Sequence, residues 1–276
     1  LIYPEIDIKV LNTKLKKKKF FYIKKNITEE ERVKLWSLGE KGLLFEASQT
    51  RIYPHKNLFS HVVGQIDLDN NGISGVEKYF DKNLKSDENS PLKLSLDINL
   101  QYLIREELVK AVSEFSAKGA ASVLMDVETG EVLSLISLPD YDLNYRQEIS
   151  DKTFTNKITK GVFEMGSIFK TFTVALAIDS NLFTPNTVVK NIPDKIKCSK
   201  FTINEHDEMP GNLSLKQILI RSSNIGTIKV ARKIGEGKLR KFLENLNLLN
   251  TLQFELDEVG SPLNFDWNKC KLETVS

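Results

Sequence analysis

The stretch from Asp97 to Leu138 constrains the fold most, because a helical period leads straight into a strand period. Leu100, Leu103, Ile104, Leu108, Ala111, Val112 and Phe115 recur at helical spacing, with Asp97 or Asn99 available to cap the first turn. Ala120 to Asp126 and Val132 to Leu138 are then two β-rich runs joined across Glu128, Thr129 and Gly130, a hairpin signal. The pattern predicts an α+β fold in which a long helix packs on an antiparallel sheet.

On the N-terminal side, Thr28 and Glu31 form a capping-box pair, predicting a short helix from about 29 to 38 that Gly39 stops. Leu43 to Pro54 reads as extended, and Asp69, Asn70, Asn71, Gly72 as a tight turn. The polar segment Asp87 to Pro91 is the predicted boundary between a module at 1–91 and a larger domain at 92–276. Further helices are signalled at Ser167 to Ser180, Ser214 to Arg221, Ile225 to Ile234 closed by Gly235, and Leu239 to Leu246. Phe254 to Ser276 carries no clear pattern, and no internal repeat is visible.

Composition narrows the function classes. A chain of 276 residues that is 41% hydrophobic and 28% charged has a core to bury, which excludes collagen-like, low-complexity and wholly disordered readings. Cys198 and Cys270 stand 72 positions apart, too far for a CxxC metal or redox site; a single bridge stays open, and two free thiols are the simpler reading. No run reaches the 18 or more apolar residues of a membrane span, since Thr171 to Ile178 is followed at once by Asp179. Leu1 reads as an interior position of a longer product, there being no initiator Met and no signal-peptide succession. His55, His61 and His206 lack ligand spacing, and the glycine turns lack a phosphate-loop signature, so neither metal nor cofactor is implied.

The net charge of +2 is unevenly spread, with eight lysines in the first 25 residues against Glu5 and Asp7. Lys14, Lys16 to Lys19, Lys24 and Lys25 interleave with Phe20, Phe21 and Tyr22, a pattern also found at nucleic-acid and anionic-lipid contacts. No nucleic-acid motif accompanies the run, and a solvated strand edge guarded by lysines is the simpler reading.

Two constellations carry chemistry. Ser167 and Lys170 stand three positions apart at the start of an apolar helix, so on a helical path the amine reaches the hydroxyl. Gly166 lets another backbone or a substrate approach closely, and the first turn offers unpaired N–H groups to developing negative charge. An ordinary lysine, with a pKa of about 10.4, is neutral in only about one copy in 2,500 at pH 7. To act as a base it must be brought near neutrality by desolvation or a nearby positive charge, roughly 4 kcal/mol of differential interaction. Phe163, Met165, Ile168 and Phe169 are the expected apolar surround. Farther on, Ser222, Ser223, Asn224 lie between two predicted helices and offer a hydroxyl to relay a proton and an amide to hold the lysine or a substrate carbonyl. Either motif alone occurs as a helix start or cap, but together they support one another.

GVFEMGSIFKTFTVALAI followed by RSSNIGTIKVA resembles the catalytic core of class B penicillin-binding proteins, in particular the septal peptidoglycan transpeptidase of cell division. HVVGQIDLDNNGISGVEKYFDKNL, LKLSLDINLQYLIREEL and SVLMDVETGEVLSLISLPDYD match in family order. Met165, where many relatives have Pro, and AVSEFSAKGAASVLMDV are similar to the α-proteobacterial branch. The resemblance implies a penicillin-binding-protein/β-lactamase-like transpeptidase domain over 92–276, its N-terminal part only, preceded by an extended, β-rich, membrane-proximal pedestal, a dimerisation-like module at 1–91. It implies Ser167 as acylated nucleophile, Lys170 as its base, Ser222 as proton relay and Asn224 as substrate-amide and lysine partner. The implied substrates are peptidoglycan stem peptides ending in D-alanyl-D-alanine, with β-lactams as covalent inhibitors and a division glycosyltransferase and other divisome proteins as partners. A single-pass anchor outside this chain would place the catalytic part on the periplasmic side of the cytoplasmic membrane. The family's third motif, Lys-Thr-Gly, is not found before Ser276, so the 276-residue piece taken alone is expected to be a poor or inactive catalyst. Competing readings are a noncatalytic scaffold of the division machinery and a β-lactam sensor or β-lactamase.

Overall fold

A computed structural model describes residues 3–4, 6–17, 20–86, 90–145, 151–198 and 201–262. Packing divides the chain into two units, Leu1–Ile158 with Glu255–Glu258, and Thr159–Phe254 with Val259–Ser276. The break in pattern expected at 87–91 falls within the first unit, and 87–89 lie outside the described residues.

The first unit contains helices α1 (Ile8–Lys17), α2 (Glu29–Trp36), α3 (Ser60–Val63), α4 (Gly75–Tyr79), α5 (Asp81–Ser86) and α6 (Ile98–Glu114), strands β1 (Ala120–Met125) and β2 (Val132–Leu138), and helix α7 (Asp151–Phe154). The lysine-rich start is a helix through Lys17 rather than the strand edge expected. Asp7 accepts from the Lys9 amide at its N-terminal end, and Lys14, Lys16 and Lys17 sit in the last turn, where the helix dipole favours cations. Lys24 and Lys25 pair with Glu31 and Asp69. Both arms of the Thr28–Glu31 capping box form, at 3.2 and 2.8 Å. Extended chain over 43–53 finds no strand partner among the described residues, and an Ile66–Gly72 bridge closes the turn around Asp67. The β-rich character expected before residue 92 is thus confined to extended chain and that one bridge.

α6 and the hairpin follow the expected pattern. Asp97 caps α6 through the amides of Asn99 (2.8 Å) and Leu100 (2.9 Å). β1 and β2 pair antiparallel from Ala120–Leu138 to Met125–Val132, with a bulge at Leu124/Met125. The junction of helix and sheet is polar. Gln101 is fully buried; its amide donates to the Leu58 and Leu135 carbonyls at 2.9 Å each, and its oxygen accepts from Ser134 Oγ and the Leu135 amide. Every group of that side chain is satisfied, which makes its burial affordable. Asp97→Ala should remove the cap at a cost of about 1 kcal/mol, read by thermal unfolding of the full-length protein as a Tm lower by roughly 2–4 °C.

The second unit opens with a 3₁₀ turn, Gly166–Phe169, running into α8 (Lys170–Asp179). Strands β3 (Val188–Val189), β4 (Lys195–Cys198), β5 (Phe201–Asn204) and β6 (Leu213–Ser214) pair as β3–β6 and β4–β5, both antiparallel. Helices α9 (Leu215–Ile220), α10 (Asn224–Ile234) and α11 (Glu236–Asn245) complete the unit. α8 buries Thr173, Val174 and Ala177 at spacings of three and four, α9 buries Leu215 and Ile218, and α11 buries Leu239 and Leu243. The apolar ones among these, with Ile225, Val230 and Ile234 of α10, make one core. Cys198 is buried and disulfide-bonded, which corrects its reading as a free thiol; Cys270 lies outside the described residues. No helix among the described residues is long and apolar enough to cross a membrane.

Candidate active site

Gly166 has φ +57°, with open space where a side chain would stand. It is required by backbone conformation, which lets the chain turn sharply into the 3₁₀ segment, rather than by the close approach expected. Ser167 lies on that segment, exposed, and Lys170 is the first residue of α8, only 7% exposed. The two motif residues therefore straddle a junction between helix types, still three positions apart on a helical path. Phe163, Met165 and Ile168 are 61%, 54% and 65% exposed, so the apolar surround expected around the lysine is not theirs. Of the four, Phe169 alone packs against the core.

The second motif meets Lys170 directly. Lys170 Nζ lies 3.2 Å from Ser167 Oγ, 2.7 Å from the Ser222 carbonyl, 3.1 Å from Ser222 Oγ and 2.5 Å from Asn224 Oδ1. The Ser222 backbone is left-handed, φ +52°, which turns its carbonyl and hydroxyl onto the same nitrogen. Thus all four residues singled out from sequence, Ser167, Lys170, Ser222 and Asn224, meet at one atom. An ammonium has three hydrogens for these four oxygens. In the neutral amine two hydrogens serve the Ser222 carbonyl and Asn224 Oδ1, neither of which can donate, and the lone pair is left for a hydroxyl. Only Ser167 and Ser222 can hand it a proton. Burial pushes the Lys170 amine below its ordinary value, in the direction a base needs, while the Glu205 carboxylate acts the other way.

Glu205 belongs to neither sequence motif. It follows β5 directly and caps α10. Its Oε1 accepts from Ser223 Oγ (2.6 Å) and the Ile225 amide (2.9 Å), and its Oε2 from the Asn224 amide (2.7 Å). Asn224 Nδ2 donates to the Asn204 carbonyl at 2.9 Å, which orients the amide so that Oδ1 faces Lys170. α10 has no acid in its first turn, a missing counter-charge that signals an acid supplied from elsewhere in the chain. His206 stays outside, beside Asp207, and His61 is buried in the first unit with Nε2 2.7 Å from the Thr153 carbonyl.

Residues 120–274 match the penicillin binding protein transpeptidase domain. The chain is 33% identical over 240 residues to the probable peptidoglycan D,D-transpeptidase FtsI of Caulobacter vibrioides, covering 86% of this chain and 41% of that protein. It is 30% identical over 273 residues to the probable peptidoglycan D,D-transpeptidase PenA of Neisseria meningitidis serogroup B, covering 88% and 46%. Among solved structures, penicillin-binding protein 3 from Mycobacterium tuberculosis complexed with ampicillin superposes with a TM-score of 0.71 at 25% identity, over 81% of this chain and 52% of that one. The chain spans less than half the length of these two curated relatives.

Proposed function

Since the chain belongs to the penicillin-binding protein transpeptidase family, of the class B septal type, we propose that it carries the acylation site of a serine D,D-transpeptidase that cross-links peptidoglycan stem peptides. The observation that carries this reading is the convergence of Ser167, Ser222 and Asn224 on the buried Lys170 amine from segments 52 to 54 positions apart.

Ser167 Oγ attacks the carbonyl carbon of the penultimate D-alanine while its proton passes to Lys170, directly or through Ser222. Collapse of the tetrahedral intermediate breaks the C–N bond, and the proton goes to the departing D-alanine nitrogen. The resulting ester is then attacked by the amine of a neighbouring stem peptide, which restores the serine hydroxyl. Asn224 Nδ2, with one hydrogen on Asn204, has a second to offer the substrate backbone. A β-lactam enters the first half of the cycle and leaves its opened ring on Ser167.

The 1–91 segment is the membrane-proximal module of this reading, with the anchor and the division partners supplied by the longer protein. A disulfide at buried Cys198 fits the oxidising space outside the cytoplasmic membrane. The test is intact-mass and peptide mass spectrometry of the full-length protein after incubation with a penicillin. One adduct, on the peptide containing Ser167, is expected. An adduct elsewhere would reject the nucleophile, and a folded protein with none would favour the scaffold reading.

A further inference from the structure

We propose that Glu205 is the positioning residue of this site, locking the Ser222–Asn224 turn so that Ser222 and Asn224 both face Lys170. The inference rests on the acyl-transfer reading above and adds a residue that touches neither reacting atom. Its basis is that one carboxylate satisfies three donors of the turn: the Ser223 hydroxyl and the Asn224 and Ile225 amides. Ser223 is itself fully buried and accepts from the Gly226 amide at 2.9 Å, so the chain Glu205–Ser223–Gly226 ties the end of β5 to the first turn of α10. The preceding residue, Asn204 at the end of β5, sets which end of the Asn224 amide meets the lysine. A two-point hold on Asn224, by its backbone nitrogen and by its side chain, therefore comes from two consecutive residues. Such a turn is otherwise free to relax, because Ser222 occupies a left-handed conformation that a side chain rarely adopts.

A glutamine has the length of Glu205 but one accepting oxygen instead of two, and its NH₂ would oppose either the Asn224 amide or the Ser223 and Ile225 donors. An aspartate keeps the charge and falls short by one methylene. Among the described residues, the groups facing Lys170 are the Ser167 and Ser222 hydroxyls, the Ser222 carbonyl and the Asn224 amide, all uncharged, and the Glu205 carboxylate behind the turn favours the ammonium. His206 and Asp207 project into solvent. Removing the carboxylate therefore disfavours the ammonium, and the acidic limb of acylation should move to lower pH.

The experiment measures the acylation rate of full-length wild type, E205Q and E205D with a fluorescent penicillin as a function of pH, alongside thermal unfolding. For E205Q the plateau rate should fall about 10- to 100-fold, the range set by losing hydrogen bonds to a charged acceptor, and the acidic limb should shift downward. For E205D the limb should stay in place while the plateau falls about 10-fold. Wild-type plateau and limb in E205Q would overturn the proposal, as would a lowered Tm with an unmoved limb, which marks a merely structural role. If E205Q does not fold, a wild-type plateau in E205D overturns it. Wild type that gains no adduct at Ser167 sinks the functional reading as well, whereas acylated wild type with unaffected variants sinks this inference alone.

Discussion

Lys170→Ala in the full-length protein is expected to slow acylation of Ser167 by a penicillin about 10²- to 10⁴-fold, the range for losing a positioned general base. Alanine removes both the proton acceptor and the donor that holds the Ser222 carbonyl and Asn224 Oδ1, so a second variant separates the two roles. Lys170→Arg retains donors for those oxygens but is never neutral in the accessible pH range, so it should be nearly as slow as the alanine variant. Time courses of fluorescent-penicillin labelling followed over pH check both. Arginine retaining more than about a tenth of the wild-type rate would mean that the lysine serves as a hydrogen-bond donor and another group takes the proton. The wild-type profile carries its own sign. Burial disfavours the ammonium, so the acidic limb should lie below the ordinary lysine value, with the rate rising as the amine loses its proton.

Ile218→Ala should be the most costly single truncation near the site. Ile218 is fully buried on α9, within the core shared by α8 and α10, and its Cγ1 lies 2.8 Å from where a β-carbon on Gly226 would stand. The truncation opens a void beside Gly226 of α10, which carries no side chain to fill it. The full transfer and cavity penalty of about 2–5 kcal/mol is expected. In a protein of this size that is a Tm lower by roughly 5–15 °C. Ile220→Ala, on the exposed face of the same helix, should change stability by no more than about 0.5 kcal/mol. Equal losses at the two positions would show that α9 is not held by this core.

The elements read most directly from sequence are those whose own residues specify them. α6 starts at its Asp97 cap, the hairpin turns where Glu128, Thr129 and Gly130 place it, and α10 stops at Gly235, which takes a positive φ. The four residues of the two motifs were legible for the same reason, since helical spacing sets one pair and a helix junction the other. What escaped sequence reasoning depended on distant parts of the chain. The partners that Lys170 holds besides Ser167 lie more than fifty positions away, while Phe163, Met165 and Ile168 beside it in sequence are exposed. Glu205 caps a helix that begins nineteen positions later, a relation no local motif encodes. The lysine run is hard to read because lysine reports neither period; the helix through Lys17 starts beside Asp7, which accepts from the Lys9 amide.

The depth difference between Ser167 and Lys170 has a mechanical meaning. The oxygen is at the surface and the nitrogen is largely buried beneath it, so in the proposed acyl transfer the proton would move inward while the group attacked stays outside. For that proposed reaction, an exposed oxygen is reachable by a substrate too large to enter a cavity.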